Sequence, residues 1–121
     1  LAAACVLETA WTGEGNFINP MCGSGTLAIE AALIAKGIAP GSLREAFGFH
    51  FLKGFDGAKW TELCSRRPGR DFSGRILASD NDPHVIEAAR ANAAAAGVEE
   101  FIEFSVQDFR GCSAYSGFAP P

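Results

Sequence analysis

The residues best suited to chemistry fall in three short polar stretches, each directly after an apolar run. The second stretch contains Asp80 and Asn81, and the third contains Gln107 and Asp108. The first is a turn formed by Asn19, Pro20, Met21, Cys22, Gly23, Ser24, Gly25 and Thr26. Glycines let a ligand approach the backbone, and carboxylates accept hydrogen bonds from hydroxyl or amino groups. Such a set is suited to a ligand that carries a nucleoside.

The apolar runs before these stretches predict three strands, at residues 16–19, 76–79 and 101–106. Two helices are predicted between them, at residues 26–36 and 83–96. Because strands that alternate with helices imply a parallel sheet, the predicted fold class is α/β, a parallel sheet with flanking helices in the order β-α-β-α-β. The carboxyl ends of such strands share one edge, where open α/β folds bind ligands.

The remaining segments are an N-terminal helix, predicted at residues 1–11, and an irregular insert at about residues 38–75 with a short helix at 59–64. The basic cluster of the insert is expected to be a solvated loop; it contains Arg66, Arg67, Arg70 and Arg75. The apolar rings of the insert do not alternate with basic residues, so we expect them to cover the hydrophobic core rather than to stack on nucleobases. These rings are Phe47, Phe49, Phe51, Phe55 and Trp60.

Each polar residue has a structural interpretation beside the functional one. Asp82 precedes a proline and is expected to cap the following helix. Asp80 ends a strand and is expected to bind a ribose diol, whereas Asp108 could accept a hydrogen bond from an exocyclic amine. Cys22 has no basic or histidine neighbour to activate its thiol, so it is expected to fit the turn rather than to act as a nucleophile.

A dinucleotide-binding site is the first alternative. Gly23 and Gly25 with Ala28 satisfy the glycine fingerprint, whose last position admits alanine. The fingerprint also requires an acidic residue about 20 residues further on. Asp80 lies 55 residues after Gly25, so the long insert weakens this interpretation without excluding it.

The composition limits the class of protein. The 121 residues suffice for one domain, and a net charge of −4 argues against this segment binding nucleic acid by itself. No apolar run has the ~18 residues of a membrane span. The four cysteines form no Cys-x-x-Cys pair, so neither zinc nor a disulfide framework is indicated, and reduced thiols favour the cytoplasm. The absence of an initiator methionine indicates a piece of a longer protein.

Several motifs, in order along the chain, resemble a known family. The turn at residues 19–26, with Ile29-Glu-Ala-Ala32, resembles the Asp-Pro-x-Cys-Gly-Ser-Gly-Thr…Ile-Glu-Ala-Ala motif of S-adenosylmethionine-dependent RNA methyltransferases. Ala78-Ser-Asp-Asn-Asp-Pro83 resembles the second-strand motif of that family, and Gln107-Asp108 resembles the third. The most similar group is the THUMP-associated RNA methylases, which include the bacterial 23S rRNA guanine-N2 methyltransferases.

The resemblance implies a Rossmann-like methyltransferase fold with S-adenosylmethionine as the cofactor. The turn at residues 19–26 would wrap the methionine part. Asp80 would hold the ribose hydroxyls, with Asn81 beside the adenine. Asp108 would accept a hydrogen bond from the adenine amine, with Gln107 next to it.

Two departures from the family pattern stand out. Asn19 occupies a position where the family usually has aspartate, which removes a charge. The Asn-Pro-Pro-Tyr motif that holds the target amine in the family is matched only by Ala119-Pro120-Pro121, so we expect the true motif beyond residue 121.

From the residues and the resemblance together, residues 1–121 are predicted to be the cofactor-binding half of a methyltransferase domain. The expected reaction is methylation of an exocyclic amine on an RNA base, with guanine N2 of ribosomal RNA favoured, and the RNA would be held by regions outside this chain. Neither a metal nor a membrane is expected to take part. The alternatives are an adenine-N6 DNA methylase, a nicotinamide-dependent oxidoreductase domain and a non-catalytic nucleoside-binding module.

Overall fold

A three-stranded parallel sheet lies at the centre of the chain in a computed structural model that describes residues 1–65 and 69–111. Its strands are β1 (Phe17–Asn19), β2 (Ile76–Asp80) and β3 (Ile102–Val106), in the spatial order β1-β2-β3. The predicted α/β class and the β-α-β-α-β order are confirmed. Two parts of the sequence analysis lie outside the described residues: Arg66 and Arg67 of the basic cluster, and the segment at residues 119–121.

Helices connect and flank the strands. The helices of the described residues are α1 (Ala2–Glu8), α2 (Thr26–Ala35), α3 (Gly57–Ser65) and α4 (Pro83–Ala95), with 3₁₀ turns at Gly48–Phe51, Glu99–Phe101 and Phe109–Gly111. Asp82 caps α4 as predicted, because its Oδ1 accepts a hydrogen bond from the backbone N–H of His84 at 2.8 Å. Pro83 occupies the first turn, where its missing N–H leaves no bond unmade.

The hydrophobic core lies between the sheet and helices α2 and α4. The buried side chains of α2 are all small, namely Ala28, Ala31, Ala32 and Ala35. Helix α4 contributes Ile86, Ala89 and Ala93, which face inward as its spacing predicts. Because the buried faces of both helices consist largely of alanine, the helices can pack close to the strands. The N-terminal end of each helix lies near the carboxyl edge of the sheet because only a short turn separates it from the preceding strand.

The strand register places the three predicted site regions side by side. Asn19 at the end of β1 pairs with Ala78, and Asp80 at the end of β2 pairs with Val106 at the end of β3. At the opposite end of the sheet, Arg75 forms a bidentate ion pair with Glu103 at 2.6 and 2.7 Å. The strands therefore all end at one edge, which is the geometry that a ligand site in an open α/β fold requires.

The first helix is shorter than the predicted range of 1–11, since α1 ends at Glu8. The Thr9 hydroxyl donates a hydrogen bond to the carbonyl of Val6 at 2.7 Å and accepts one from the N–H of Trp11 at 3.3 Å. Ala10 then adopts a φ of 59°, which turns the chain away from the helix. This turn packs the ring of Trp11 against Phe17, with 5.2 Å between the ring centroids.

The five rings predicted to cover the core, Phe47, Phe49, Phe51, Phe55 and Trp60, do not pack against it, so that expectation was wrong. Five rings pack on one another with centroid distances from 4.8 to 5.8 Å, and we call them the aromatic cluster: Phe47, Phe49, His50, Phe55 and Trp60. None of the five belongs to the hydrophobic core or packs against it. The rings that cover the core are Trp11, Phe17, Phe72 and Phe101. The insert has enough apolar area to build a small cluster of its own.

Candidate functional site

The three polar stretches meet around a cleft at the carboxyl edge of the sheet. The cleft has a volume of about 90 Å³ and is lined by Pro20, Met21, Asp80, Asn81, Gln107, Asp108, Phe109 and Arg110. Six of these eight residues belong to the predicted site. The other six predicted residues, Asn19 and residues 22–26, form the adjoining remainder of the turn.

Asp80 joins the second strand to the glycine turn. Its Oδ2 accepts a hydrogen bond from the backbone N–H of Gly23 at 3.0 Å, and its Oδ1 accepts one from the N–H of Asp82 at 3.2 Å. A carboxylate has about four acceptor positions, so each oxygen keeps capacity for a ligand hydroxyl. Asp80 therefore fixes the turn and still presents acceptors to the cleft.

The two glycines of the turn have different tasks. Gly25 is the N-cap of α2 with a φ of 85°, and a Cβ atom there would lie 3.1 Å from the Cβ of Ala89. Helix packing and backbone conformation therefore both require glycine at this position. A Cβ atom on Gly23 would meet no described atom within 4 Å. Only Gly23 matches the expectation that a glycine leaves room for a ligand against the backbone.

Other hydrogen bonds hold the turn from β2 and α4. The N–H of Cys22 donates to the carbonyl of Ser79 at 2.8 Å. The side-chain amide of Asn92 donates to the carbonyl of Ser24 at 3.0 Å. The sequence analysis did not assign Asn92 to the site. Its signal was a lone amide side chain near the end of an alanine-rich helix.

Helix α2 begins directly at the turn with free hydrogen-bonding capacity. Its N-cap, Gly25, provides no side-chain bond to the first turn, and that turn contains no acidic residue. The first N–H groups of a helix carry partial positive charge and favour a negative group. The start of α2 is therefore suited to a ligand carboxylate or phosphate.

Asn19 brings a buried donor to the same place. Its side chain is 8% exposed, and its Nδ2 has no hydrogen-bond partner among the described residues. A buried N–H without a partner costs about 1–3 kcal/mol. An acceptor on a bound ligand would remove this cost, so the residues at the end of β1 fit a ligand whose nearest group is an acceptor.

Cys22 is protected rather than activated. Burial of its side chain raises the pKa of the thiol, and the negative charge of Asp80 raises it further. The thiol also donates to the carbonyl of Gly23 at 3.5 Å. This environment agrees with the expectation that Cys22 fits the turn and does not act as a nucleophile.

Asp108 is partly engaged by a neighbour that the sequence did not reveal as part of the site. Arg110 donates to it from Nε at 3.1 Å, from Nη2 at 2.9 Å and from the backbone N–H at 2.9 Å. The side-chain hydrogen bond from Arg110 holds the pKa of the Asp108 carboxyl below its usual value. The sequence signal for this pair was the position of Arg110, two residues after the carboxylate of Asp108. A ligand amine at Asp108 would share the carboxylate with Arg110.

Two further kinds of site are absent from residues 1–65 and 69–111. No group of three or more His, Cys, Asp or Glu side chains there could hold a metal ion. Within the same residues, no helix has the length and apolar character needed to cross a membrane.

A parallel β1-β2-β3 sheet with a polar turn and strand-terminal carboxylates at its carboxyl edge defines a Rossmann-like domain with a ligand site at that edge. A family model described as RMKL-like, methyltransferase domain, matches residues 1–117, and the chain belongs to this family. The family resemblance of the sequence motifs is thereby confirmed, and the nicotinamide-dependent alternative is set aside.

Two relatives have the same name, ribosomal RNA large subunit methyltransferase K/L. The one from Vibrio parahaemolyticus is 41% identical over 124 residues, which cover 98% of this chain and 18% of the relative. The one from Psychromonas ingrahamii is 47% identical over 114 residues, which cover 89% of this chain and 15% of the relative. The chain thus spans less than a fifth of the length of these relatives.

Solved structures agree with the fold. One, described as a candidate methyltransferase complexed with SAH, superposes with a TM-score of 0.83 at 32% identity, covering 93% of this chain and 30% of that protein. Another, described as a predicted N6-adenine-specific DNA methylase from Listeria monocytogenes, gives a TM-score of 0.76 at 32% identity over the same shares. The Rossmann-like methyltransferase fold predicted from the motifs is confirmed.

Proposed function

We propose that this chain is the cofactor-binding part of an S-adenosylmethionine-dependent methyltransferase that acts on an exocyclic amine of an RNA base. Guanine N2 of ribosomal RNA is the favoured target. The main structural support is the carboxylate of Asp80, which is bonded to the glycine turn at 3.0 Å and still presents acceptors to the cleft. The names of the Vibrio and Psychromonas relatives support the choice of ribosomal RNA.

The residues of the site fit this cofactor in chemical type. The turn at residues 19–26 would hold the methionine part, whose carboxylate suits the Nδ2 of Asn19 and the start of α2. The free acceptors of Asp80 suit a ribose diol. Asn81 and Gln107 would flank the adenine, and Asp108 would accept from its amine. The cleft of about 90 Å³ is smaller than a whole ligand pocket, so most of the cofactor would lie over the turn.

The chemistry follows from positioning. S-adenosylmethionine, when bound, would supply an electrophilic methyl group: its bond to the sulfonium sulfur breaks as the bond to the amine nitrogen forms, S-adenosylhomocysteine is left, and the amine releases a proton to water. The residues of this chain align the donor; in well-oriented systems such alignment contributes up to about 7–11 kcal/mol. A target base within a duplex would have to leave its stack first. The target amine and much of the RNA would be held by regions outside this chain, and the cytoplasm is the proposed location.

The name of the Listeria structure favours one second candidate, an adenine-N6 DNA methylase. The experiment that separates the two uses the intact protein that contains this chain, with labelled S-adenosylmethionine and either unmodified ribosomal RNA or DNA. Mass spectrometry of the digested nucleosides should show N2-methylguanosine in the RNA. N6-methyldeoxyadenosine in the DNA, with unlabelled RNA, would establish the second candidate instead.

Calorimetry tests the cofactor independently of the substrate. The intact protein should bind S-adenosylmethionine and should not bind NAD. Binding of NAD alone would overturn the proposed cofactor. Binding of S-adenosylmethionine without methylation of RNA or DNA would leave the non-catalytic nucleoside-binding module as the better interpretation.

A further inference from the structure

A pocket larger than the cleft at the strand edge lies in the insert, away from the predicted site. It has a volume of about 700 Å³, against about 90 Å³ for the cleft at the strand edge. Volumes of 300–1,000 Å³ are typical of ligand pockets. Its walls include Arg44, Phe47, Trp60 and Leu63, none of which takes part in the cofactor site.

The pocket is built on the aromatic cluster rather than on the core of the domain. Phe47 is stacked on Phe49 with 5.1 Å between centroids and an interplanar angle of 9°, and it meets Trp60 edge-on at 5.7 Å. Gly41 lies against the Phe47 ring so closely that a Cβ atom there would come within 2.7 Å of the ring Cζ. These contacts fix the position of the wall.

Exposed apolar side chains and positive charge both concentrate in the insert. Half of the twelve exposed large hydrophobic residues of the described chain lie there: Leu43, Phe49, Phe51, Leu52, Phe55 and Leu63. Seven of the ten Lys and Arg residues, but only four of the fourteen Asp and Glu residues, lie at residues 38–75. The insert therefore carries a net charge of +3, whereas the rest of the chain carries −7.

A cation stands at the pocket wall itself. The guanidinium of Arg44 lies 5.3 Å from the centroid of the Phe47 ring, and it forms no ion pair with any residue of the described ranges. Aromatic faces next to unpaired cations are the recurring features of surfaces that bind single-stranded nucleic acid, because every base offers a π-face and every phosphate a charge. An apolar protein partner would use the rings and leucines but would not call for this concentration of positive charge.

We infer that the insert pocket binds an unpaired base of the RNA substrate, stacked against Trp60, with Arg44 on a neighbouring phosphate. This base is a different one from the base that is methylated, which must reach the strand edge. The inference rests on the proposed RNA substrate and extends it. It also reverses the expectation, drawn from the sequence, that these rings serve only to cover apolar surface.

The test measures RNA affinity and cofactor affinity separately, in the intact protein. Trp60→Leu keeps an apolar side chain but removes the stacking face, so it should weaken binding of a single-stranded ribosomal RNA fragment about 5- to 150-fold, the contribution of one stacked base. Trp60→Phe should restore most of that loss. Affinity for S-adenosylmethionine should be unchanged in both variants.

A charge pair of variants tests the role of Arg44. Arg44→Gln should reduce the slope of log affinity against log salt by about 0.7, the contribution of one phosphate contact in single strands. Lys53→Gln makes the same change of charge in the insert at a residue that does not line the pocket, and it should leave the slope closer to that of the wild type. Equal effects of the two variants would indicate diffuse attraction and overturn the assignment.

Other outcomes separate this inference from the proposed function. If the wild-type protein methylates RNA and Trp60→Leu binds RNA equally well, the pocket assignment is wrong while the function stands. The same conclusion follows if Trp60→Leu only lowers the unfolding temperature, because Trp60 would then serve only to hold the aromatic cluster together. If the wild-type protein neither binds nor methylates RNA, the proposed substrate itself fails.

Discussion

Asp80 and Asp82 offer a matched test of the cofactor site, since they are neighbouring carboxylates with different tasks. Asp80 accepts hydrogen bonds from the N–H groups of Gly23 at 3.0 Å and Asp82 at 3.2 Å. Asp82 accepts one from the N–H of His84 at 2.8 Å and caps α4. Each is replaced in turn by alanine, in the intact protein.

The two variants should lose similar amounts of stability. Water can replace the exposed bond from the N–H of Asp82, so Asp80→Ala loses chiefly the partly buried bond from Gly23, about 1–2 kcal/mol of unfolding free energy. Asp82→Ala loses a helix N-cap, about 1 kcal/mol. Denaturant unfolding measures both values. Because the losses are comparable, a difference in cofactor binding cannot be attributed to stability.

Cofactor affinity should separate the variants. Asp80→Ala removes acceptors for the ribose hydroxyls and should weaken binding of S-adenosylmethionine by about 1–3 kcal/mol, or 5- to 150-fold. Asp82→Ala should bind as the wild type does. Calorimetry with S-adenosylhomocysteine and its 2′-deoxy form completes the test, because loss of the hydroxyl should cost affinity only where Asp80 is present. If removal of the hydroxyl weakened binding equally in the wild type and in Asp80→Ala, the ribose contact would be refuted.

Three further predictions concern the surroundings of the site. Gly25→Ala should lower the unfolding free energy by about 2–4 kcal/mol, and more than Gly97→Ala, because both have positive φ but only the former meets a close neighbour, at 3.1 Å; equal losses would contradict this. Arg110→Gln should raise the pKa of Asp108 toward 3.8 in an NMR titration. In the wild type the lowered pKa stabilises the fold above the pKa of the unfolded state, and this contribution is lost as the pH falls through the pKa of the folded state; the variant should lack it. An unmoved titration would refute the pairing. Iodoacetamide at pH 8 should alkylate the two exposed cysteines of the described residues well before Cys22, as peptide mass spectrometry will show unless the thiol is more accessible than its burial implies.

The elements predicted from the sequence are those whose signals are local. Hydrophobic runs and glycine stops place three strands and the two core helices to within two residues, and the Asp82-Pro83 pair predicts the start of α4 from cap chemistry alone. The end of α1 was not predicted because it depends on the hydroxyl of Thr9, which competes for the carbonyl of Val6. Hydrophobic periodicity carries no information about such a side-chain hydrogen bond.

Contacts between distant parts of the chain could not be predicted in the same way. The bond between Asp80 and Gly23 joins residues 57 positions apart, so the dual task of Asp80 depends on the strand register. The packing of Gly25 on Ala89 likewise depends on how α4 crosses the turn. The aromatic cluster is the clearest case, since its rings pack on one another instead of on the core, and spacing alone cannot distinguish the two arrangements.

Asn19 and Asp80 together give the candidate site a direction. The end of β1 carries a buried donor, Nδ2, with no partner in the described residues, and the end of β2 carries a carboxylate with free acceptors. A ligand with a negative group at one end and hydroxyls further along fits both residues better in one orientation, because the reverse would place its negative group against the carboxylate of Asp80. An aspartate at position 19 would remove that donor and add a negative charge near a ligand carboxylate. The asparagine therefore favours binding in which the carboxylate lies over the turn and the start of α2, with the nucleoside extending toward Asp80.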